Sequence, residues 1–388
     1  MAVYTTIDDP SAYFKVQLYT GNATNDTAIV FNDTDTDMQP DMVWIKCRDA
    51  AENHSLSDVI QGDATGRDGL AVLHPNTTQA EDNGATANLY MESFDSDGFT
   101  IGANDQINVN TKLHTSWSWK AGTTSGLSGG TITPSAYSIN TTSGFGMYGY
   151  AGNSTAGATI THGLGAKPGW ISCKRLNDTG GWTTYNSGAG ATKFAYLDLT
   201  DIFDSGSTEW NDTEPTTSVF SLGTHGTVNN SAGTYIAYVW ADVQGFSKFG
   251  SYEGNGNADG SFIYTGFKPA WVMCKSIDST SSWHIFDNKR EGFNPDNDTL
   301  VAEATTVEPT TDMIDLLSNG FKFRIATDPN VAETYAYMAF AESPFVNSNG
   351  VKIRSTDGGF NASGSTYIYM AFAEAPFVNS NGVPCNAR

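Results

Sequence analysis

The chain has 388 residues, enough for two to four domains, and carries a formal charge of −22. A surface of that sign repels phosphate backbones and excludes nucleic acid as an expected partner. Only 16 % of the residues are charged, whereas 12 % are aromatic and 40 are glycine; Thr, Ser, Asn and Gly supply the polarity, a mixture that suits short strands and turns and argues against disorder.

Residues 1–10 read as an N-terminal arm. No positively charged, apolar leader follows Met1, and no run of about 18 apolar residues occurs. The expectation is a product made in the cytoplasm, without membrane insertion. Next comes a turn, Tyr19-Thr20-Gly21-Asn22, and then an acidic loop in which Asp33, Asp35 and Asp37 alternate. The spacing resembles the start of a calcium loop, but Met38 stands in place of the required glycine and Trp44 in place of the bidentate glutamate. An EF-hand is excluded, and these three carboxylates are a weak calcium candidate. Pro40 punctuates the loop, and "WIKCR" begins at Trp44. Leu56 and Val59 follow, then a Gly-Phe turn ending at Phe99 and a closing strand, "LHTSWSWKA", from Leu113.

The same landmarks return twice. The turn recurs at residues 150–153 and 252–255, the proline at Pro168 and Pro269, and the Trp phrase at Trp170 ("WISCK") and Trp271 ("WVMCK"). Trp182 with Tyr185, and Trp283 with Phe286, take the places of Leu56 and Val59; Phe220 and Phe321 take that of Phe99. Closing strands begin at Thr234 and Thr334, and opening Trp to closing aromatic spans 75, 70 and 69 residues. A partial fourth copy, "TYIYMAFAE" from Thr366, lacks the first half of the module. The expected architecture is all-β: tandem antiparallel jelly-roll β-sandwich modules at 11–122, 145–245 and 246–350, with a half-module at 351–388 and a flexible Ser/Gly/Thr-rich linker at 123–144.

Period-two alternation assigns faces. In the first closing strand Thr115, Trp117 and Trp119 share the face read as core, leaving His114, Ser116 and Ser118 to a wet side. The later copies carry Tyr235, then Tyr335 with Tyr337, then Tyr367 with Tyr369 on that second side, a surface either covered by a neighbour or used for contact. In the opening phrase Cys47, Cys173 and Cys274 alternate with aliphatics and read as interior filler, not as reactive or metal-bound thiols. Trp44, Trp170 and Trp271 lie on the other side, beside basic stems; they read as core rings or as sugar platforms. "GLSGG" spells a nucleophile elbow around Ser128 but lies in the connector, without the strand and helix that such an elbow needs. The six histidines lack zinc spacing, no phosphate-binding glycine motif occurs, and no acidic pair recurs from module to module. The expectation is a protein that is not an enzyme and uses no cofactor.

The combination of "QPDMVWIKCRD", "HSLSDVIQG", "ESFDSDGFTIG" and "TSWSWKAG", with "GFSKFGSYEGNGNADGSFIYTGFKPAWVMCKS" and "YMAFAEAPFVNSNGVPCNAR", resembles the repeat of marine bacteriophage virion proteins with lectin-like, LamG-type jelly rolls, usually labelled tail fibres. The resemblance covers nearly the whole chain. It implies a structural component of the virion, a tail fibre or appendage that contacts other virion proteins and attaches to host surface glycans. Fibres being symmetric, a homotrimer is expected. The alternatives are a capsid-decorating or adaptor protein, whose Tyr-rich faces are interfaces, and a polysaccharide-degrading tailspike.

Overall fold

The computed structural model describes residues 5–31, 36–60, 71–82, 89–122, 126–290, 294 and 299–344. The half-module at 351–388, with Tyr367, Tyr369 and Cys385, lies outside them, as do Asp33 and Asp35.

The fold is all-β, and each module is a two-layered antiparallel sandwich. Module 1 contains β1 (Phe14–Thr20), β2 (Thr27–Val30), β3 (Met42–Cys47), β4 (Ser55–Asp58), β5 (Met91–Asp95), β6 (Gly98–Ile101) and β7 (Leu113–Trp119). Its main sheet runs β1-β7-β3-β4, and its smaller sheet runs β2-β6-β5. Module 2 contains β8 (Ala136–Asn140), β9 (Phe145–Ala151), β10 (Ala158–Thr161), β11 (Pro168–Arg175), β12 (Thr183–Asn186), β13 (Lys193–Tyr196), β14 (Asp204–Ser205), β15 (Val219–Leu222) and β16 (Thr234–Ala241). Its main sheet, β14-β13-β12-β11-β16-β9-β8, keeps the same central order, opposite a β10-β15 pair. Module 3 contains β17 (Ser247–Glu253), β18 (Phe262–Tyr264), β19 (Phe267–Ser276), β20 (His284–Asp287), β21 (Leu300–Val301), β22 (Ile314–Leu317), β23 (Gly320–Phe323) and β24 (Thr334–Pro344). Its sheets run β17-β24-β19-β20-β21 and β18-β23-β22. In every module the closing strand lies between the Trp-Cys strand and the strand that enters the Tyr-x-Gly-Asn turn (β1, β9 or β17), so the repeated phrases form the middle of each main sheet.

The Tyr-x-Gly-Asn turn is a latch. The hydroxyls of Tyr19, Tyr150 and Tyr252 donate to the carbonyls of Ile107, Val228 and Pro329 at 2.6, 2.8 and 2.8 Å. One residue further on, the buried side chains of Asn108, Asn229 and Asn330 accept the backbone N–H of Asn22, Asn153 and Asn255. Each of these three carboxamides also donates to backbone carbonyls, so no amide is left unpaired inside. The turn glycine is obligatory: a Cβ on Gly21, Gly152 or Gly254 would collide with the carbonyl oxygen of Val109, Asn230 or Val331.

One expectation changes. The connector at 123–144 is not simply a linker, because β8 adds to the edge of β9 and Ile132 bridges to Ile160. Ile132 and Ile139 fill the module 2 core, and burying them holds the segment down. The N-terminal arm is likewise anchored, with Ile7 joining the main hydrophobic core. That core contains residues from all three modules, so module 1 is packed with modules 2 and 3 in one body.

Candidate functional site: the junction of the three modules

Both faces of each closing strand are buried, which corrects the wet side expected for His114, Ser116 and Ser118. One face looks into the module's own sandwich. There Tyr19 stacks on His114, Tyr150 on Tyr235 and Tyr252 on Tyr335, with ring centroids 5.0, 5.2 and 5.1 Å apart. Tyr235, Tyr335 and Tyr337, candidates for a contact surface, are therefore interior rings. Cys47, Cys173 and Cys274 are free and buried. Burial pushes the Cys173 thiol up to about 12 and shifts Cys47 and Cys274 in the same direction, so these thiols are poor nucleophiles.

The other face of each main sheet meets the neighbouring modules. Trp44, Trp170 and Trp271 are 5 %, 1 % and 0 % exposed, which leaves them no ring face for a sugar. Trp119 contacts Trp240 and Trp271, Trp117 contacts Trp271, and Trp170 contacts Trp283, with centroids 5.7–6.2 Å apart and steeply inclined planes. A cavity of only about 20 Å³ remains among these rings. The two readings of the Trp phrase thus resolve toward packing, although between modules and not within one sandwich.

Polar bonds around this aromatic centre form a cyclic set, each module reaching the same neighbour in turn. Just before β4, β12 and β20 stand His54, Trp182 and Trp283. Their ring N–H groups donate to the carbonyls of Val301, His74 and Tyr196 at 3.0, 3.1 and 3.0 Å. Module 1 thus bonds to module 3, module 2 to module 1, and module 3 to module 2. His54 Nδ1 accepts from Trp44 Nε1 at 2.9 Å, so the Nε2–H tautomer fits both bonds. Three lysines follow the same cycle: Lys46, Lys174 and Lys275 donate to the carbonyls of Thr305, Thr78 and Thr200. Burial pulls all three ammonium groups down to about 8. Arg48 adds an ion pair with Glu308 at 2.7 Å.

A third set starts from the closing strands. The Tyr238 hydroxyl donates to Asp58 at 2.6 Å, and Trp117 Nε1 donates to Asp287 at 2.9 Å. Met338 occupies the equivalent place in β24 and has no proton to give. There the acceptor is replaced by Asn186, whose amide donates to the Tyr337 carbonyl at 3.3 Å. The change of residue type thus preserves the bond by reversing its direction.

The family model described as a domain of unknown function, DUF7483, matches residues 9–344 and again 345–376. The chain belongs to the DUF7483 family. No curated protein and no solved structure matches it.

In this DUF7483 chain the repeated positions do packing work. Among the described residues no group of three His, Cys, Asp or Glu side chains could hold a metal ion. Asp37 is exposed, and its two proposed calcium partners lie outside the described residues. Ser128 is exposed in a loop, without the strand-turn-helix of a nucleophile elbow. Sequence reasoning missed the inter-module clasps and the buried asparagines. The latter had a signal, since an Asn precedes each closing strand by four or five residues.

Proposed function

We propose that this protein is a non-enzymatic structural component of a bacteriophage virion, a tail fibre or tail-associated appendage that presents lectin-like modules to the host surface. The observation that carries this reading is the cyclic bonding of three like modules around one aromatic core. It gives a single stiff block whose repeated residues are devoted to holding modules together, as a static appendage requires. The resemblance of the repeat phrases to phage virion proteins supplies the biological setting. The strongly negative formal charge favours solubility and disfavours binding to nucleic acid.

The three modules fill their junction within one chain, so a homotrimer of this chain would be built on surfaces outside that junction. The test is immunogold labelling of purified particles. Label on the tail supports the proposal, label confined to the head favours the capsid-decorating alternative, and unlabelled particles overturn both. Release of reducing sugar from host polysaccharide by the purified protein would instead identify a tailspike enzyme.

A further inference from the structure

The three seams between modules differ in how the chain treats them. It passes directly from module 2 to module 3, where Asp242 accepts the Phe249 N–H at 2.8 Å and the Lys248 ammonium at 3.1 Å. From module 1 to module 2 it passes through the connector, which is stapled just after β7. There the Gly122 N–H donates to the Ser138 hydroxyl at 3.2 Å, the Asn140 amide to the Ala121 carbonyl at 3.1 Å and the Ser143 hydroxyl to the Lys120 carbonyl at 3.2 Å. Module 1 reaches module 3 along the chain only by way of module 2, so contacts across up to 260 positions close the third seam. Their loop-closure entropy has no chain segment to reduce it.

This third seam is also the one that departs from the repeat. Arg48, Leu176 and Ile277 are counterparts: each donates its backbone N–H at 2.8 Å to the first carbonyl of its closing strand, Leu113, Thr234 or Thr334. Glu308 follows Val301 by seven residues, and the same count from His74 and Tyr196 reaches Glu81 and Phe203. Phe203 packs on Trp283. Arg290 follows Asp287 by three residues, where module 2 has Ala189 after Asn186. Two cations and two anions thus meet between modules 1 and 3. Arg48 pairs with Glu308 at 2.7 Å, Glu308 with Arg290 at 2.6 Å and Arg290 with Asp287 at 2.7 Å, and Asp287 accepts the Trp117 indole at 2.9 Å. The Arg290 and Asp287 side chains are 0 % exposed, those of Arg48 and Glu308 12 % and 10 %. Charges so enclosed hold only in register. Removing Glu308 leaves two guanidinium groups facing one lost anion, and opening the seam returns Arg48 to water.

We propose that the seam between modules 1 and 3 is the joint at which the three-module block opens, with Arg48, Glu308, Arg290 and Asp287 as its latch. Module 1 swings away from module 3 while keeping its bonds to module 2, and each sandwich stays folded on its own second sheet. The opened joint bares Trp117 and Trp119 on one side and Trp271 and Phe340 on the other. Such an opening is a partial one, cheaper than unfolding any module.

The test reads exchange of three indole protons, one at each seam, by NMR of the full chain with labelled tryptophan. Trp117 bonds to Asp287, Trp182 to the His74 carbonyl and Trp283 to the Tyr196 carbonyl. Arg48→Leu and Glu308→Gln each speed exchange of Trp117 at least about tenfold and leave Trp182 and Trp283 within about twofold of native. Equal acceleration of all three means that the block opens as a whole, and an unchanged Trp117 means that the network is no latch; either result overturns the proposal. A chain with Arg48→Cys and Glu308→Cys answers the question even if the first two variants do not fold. The Glu308 N–H donates to the Arg48 carbonyl at 2.8 Å, which brings the two backbones within reach of a disulfide. Oxidation slows Trp117 exchange at least about tenfold relative to the reduced form, and equal rates in the two forms reject the joint.

Discussion

The module junction and the Tyr264 surface are built from similar residues, yet they obey opposite rules. At the junction every aromatic position has a counterpart in another module, and its rings are enclosed. At Tyr264 the aromatic occurs in one module only and is half exposed. In a repeat protein, agreement between copies marks what the fold needs, because each copy solves the same packing problem. Divergence on an exposed face is free to serve something else. The comparison therefore predicts that junction variants lose stability and Tyr264 variants do not.

The largest effect is expected at Trp271, which is fully enclosed and touches Trp117, Trp119 and Phe340. Trp271→Ala should cost about 3–5 kcal/mol in urea unfolding, through lost burial plus a cavity. A loss below about 1 kcal/mol would mean that the modules are not held by this core.

Acid comes next. Burial pulls His114 down from 6.5 to about 4, and lowers His54, His74 and His162 in the same direction. The folded protein resists protons that the unfolded chain accepts, so stability is complete above pH 6.5 and is lost as the pH falls toward 4. His114 alone accounts for roughly 3 kcal/mol of that loss. His114→Tyr, which copies Tyr235 and Tyr335, should flatten the profile measured by urea melts between pH 7 and pH 4. An unchanged slope would remove His114 from the account.

Asn186→Asp should cost about 2–4 kcal/mol, because it places a carboxylate against the Tyr337 carbonyl where no donor exists. Aspartate is tolerated at the equivalent positions because Tyr238 donates to Asp58, while Trp117 and the buried Arg290 guanidinium both donate to Asp287. Thermal unfolding of the single variant settles this rung. Smallest of all, Tyr264→Ala should change stability by no more than about 0.5 kcal/mol, as exposed positions usually do. A larger loss would move Tyr264 from the surface to the scaffold and end the contrast.

Much of the sandwich was readable in the chain. The recurring Trp phrase, the Phe after a turn and the closing strand fell on β3, β11 and β19, on β6, β15 and β23, and on β7, β16 and β24. The cysteines among aliphatics were read as interior, and they are. The connector misled because its glycines and serines outnumber Ile132 and Ile139, yet two buried isoleucines suffice to fasten it. Trp44, Trp170, Trp271, Tyr235, Tyr335 and Tyr337 read two ways in the sequence because an aromatic on a strand looks the same whether it meets a sugar or another sheet. Phe262 and Tyr264 passed unremarked, since local pattern alone does not say that a ring is left half exposed.

By itself the sequence determined the module: its strands, its turns, its three-fold recurrence and the two sets of side chains that alternate along each strand. Tertiary structure decided what covers each set. Period two separates the sides of a strand but is symmetric between them, and here both sides are rich in apolar residues. Which side meets the module's own second sheet, and which meets a neighbour, depends on contacts made across 170–259 positions of chain, such as Trp117 to Asp287 and Lys46 to Thr305. Those contacts arise only when three modules close into a ring, and no local pattern encodes that closure.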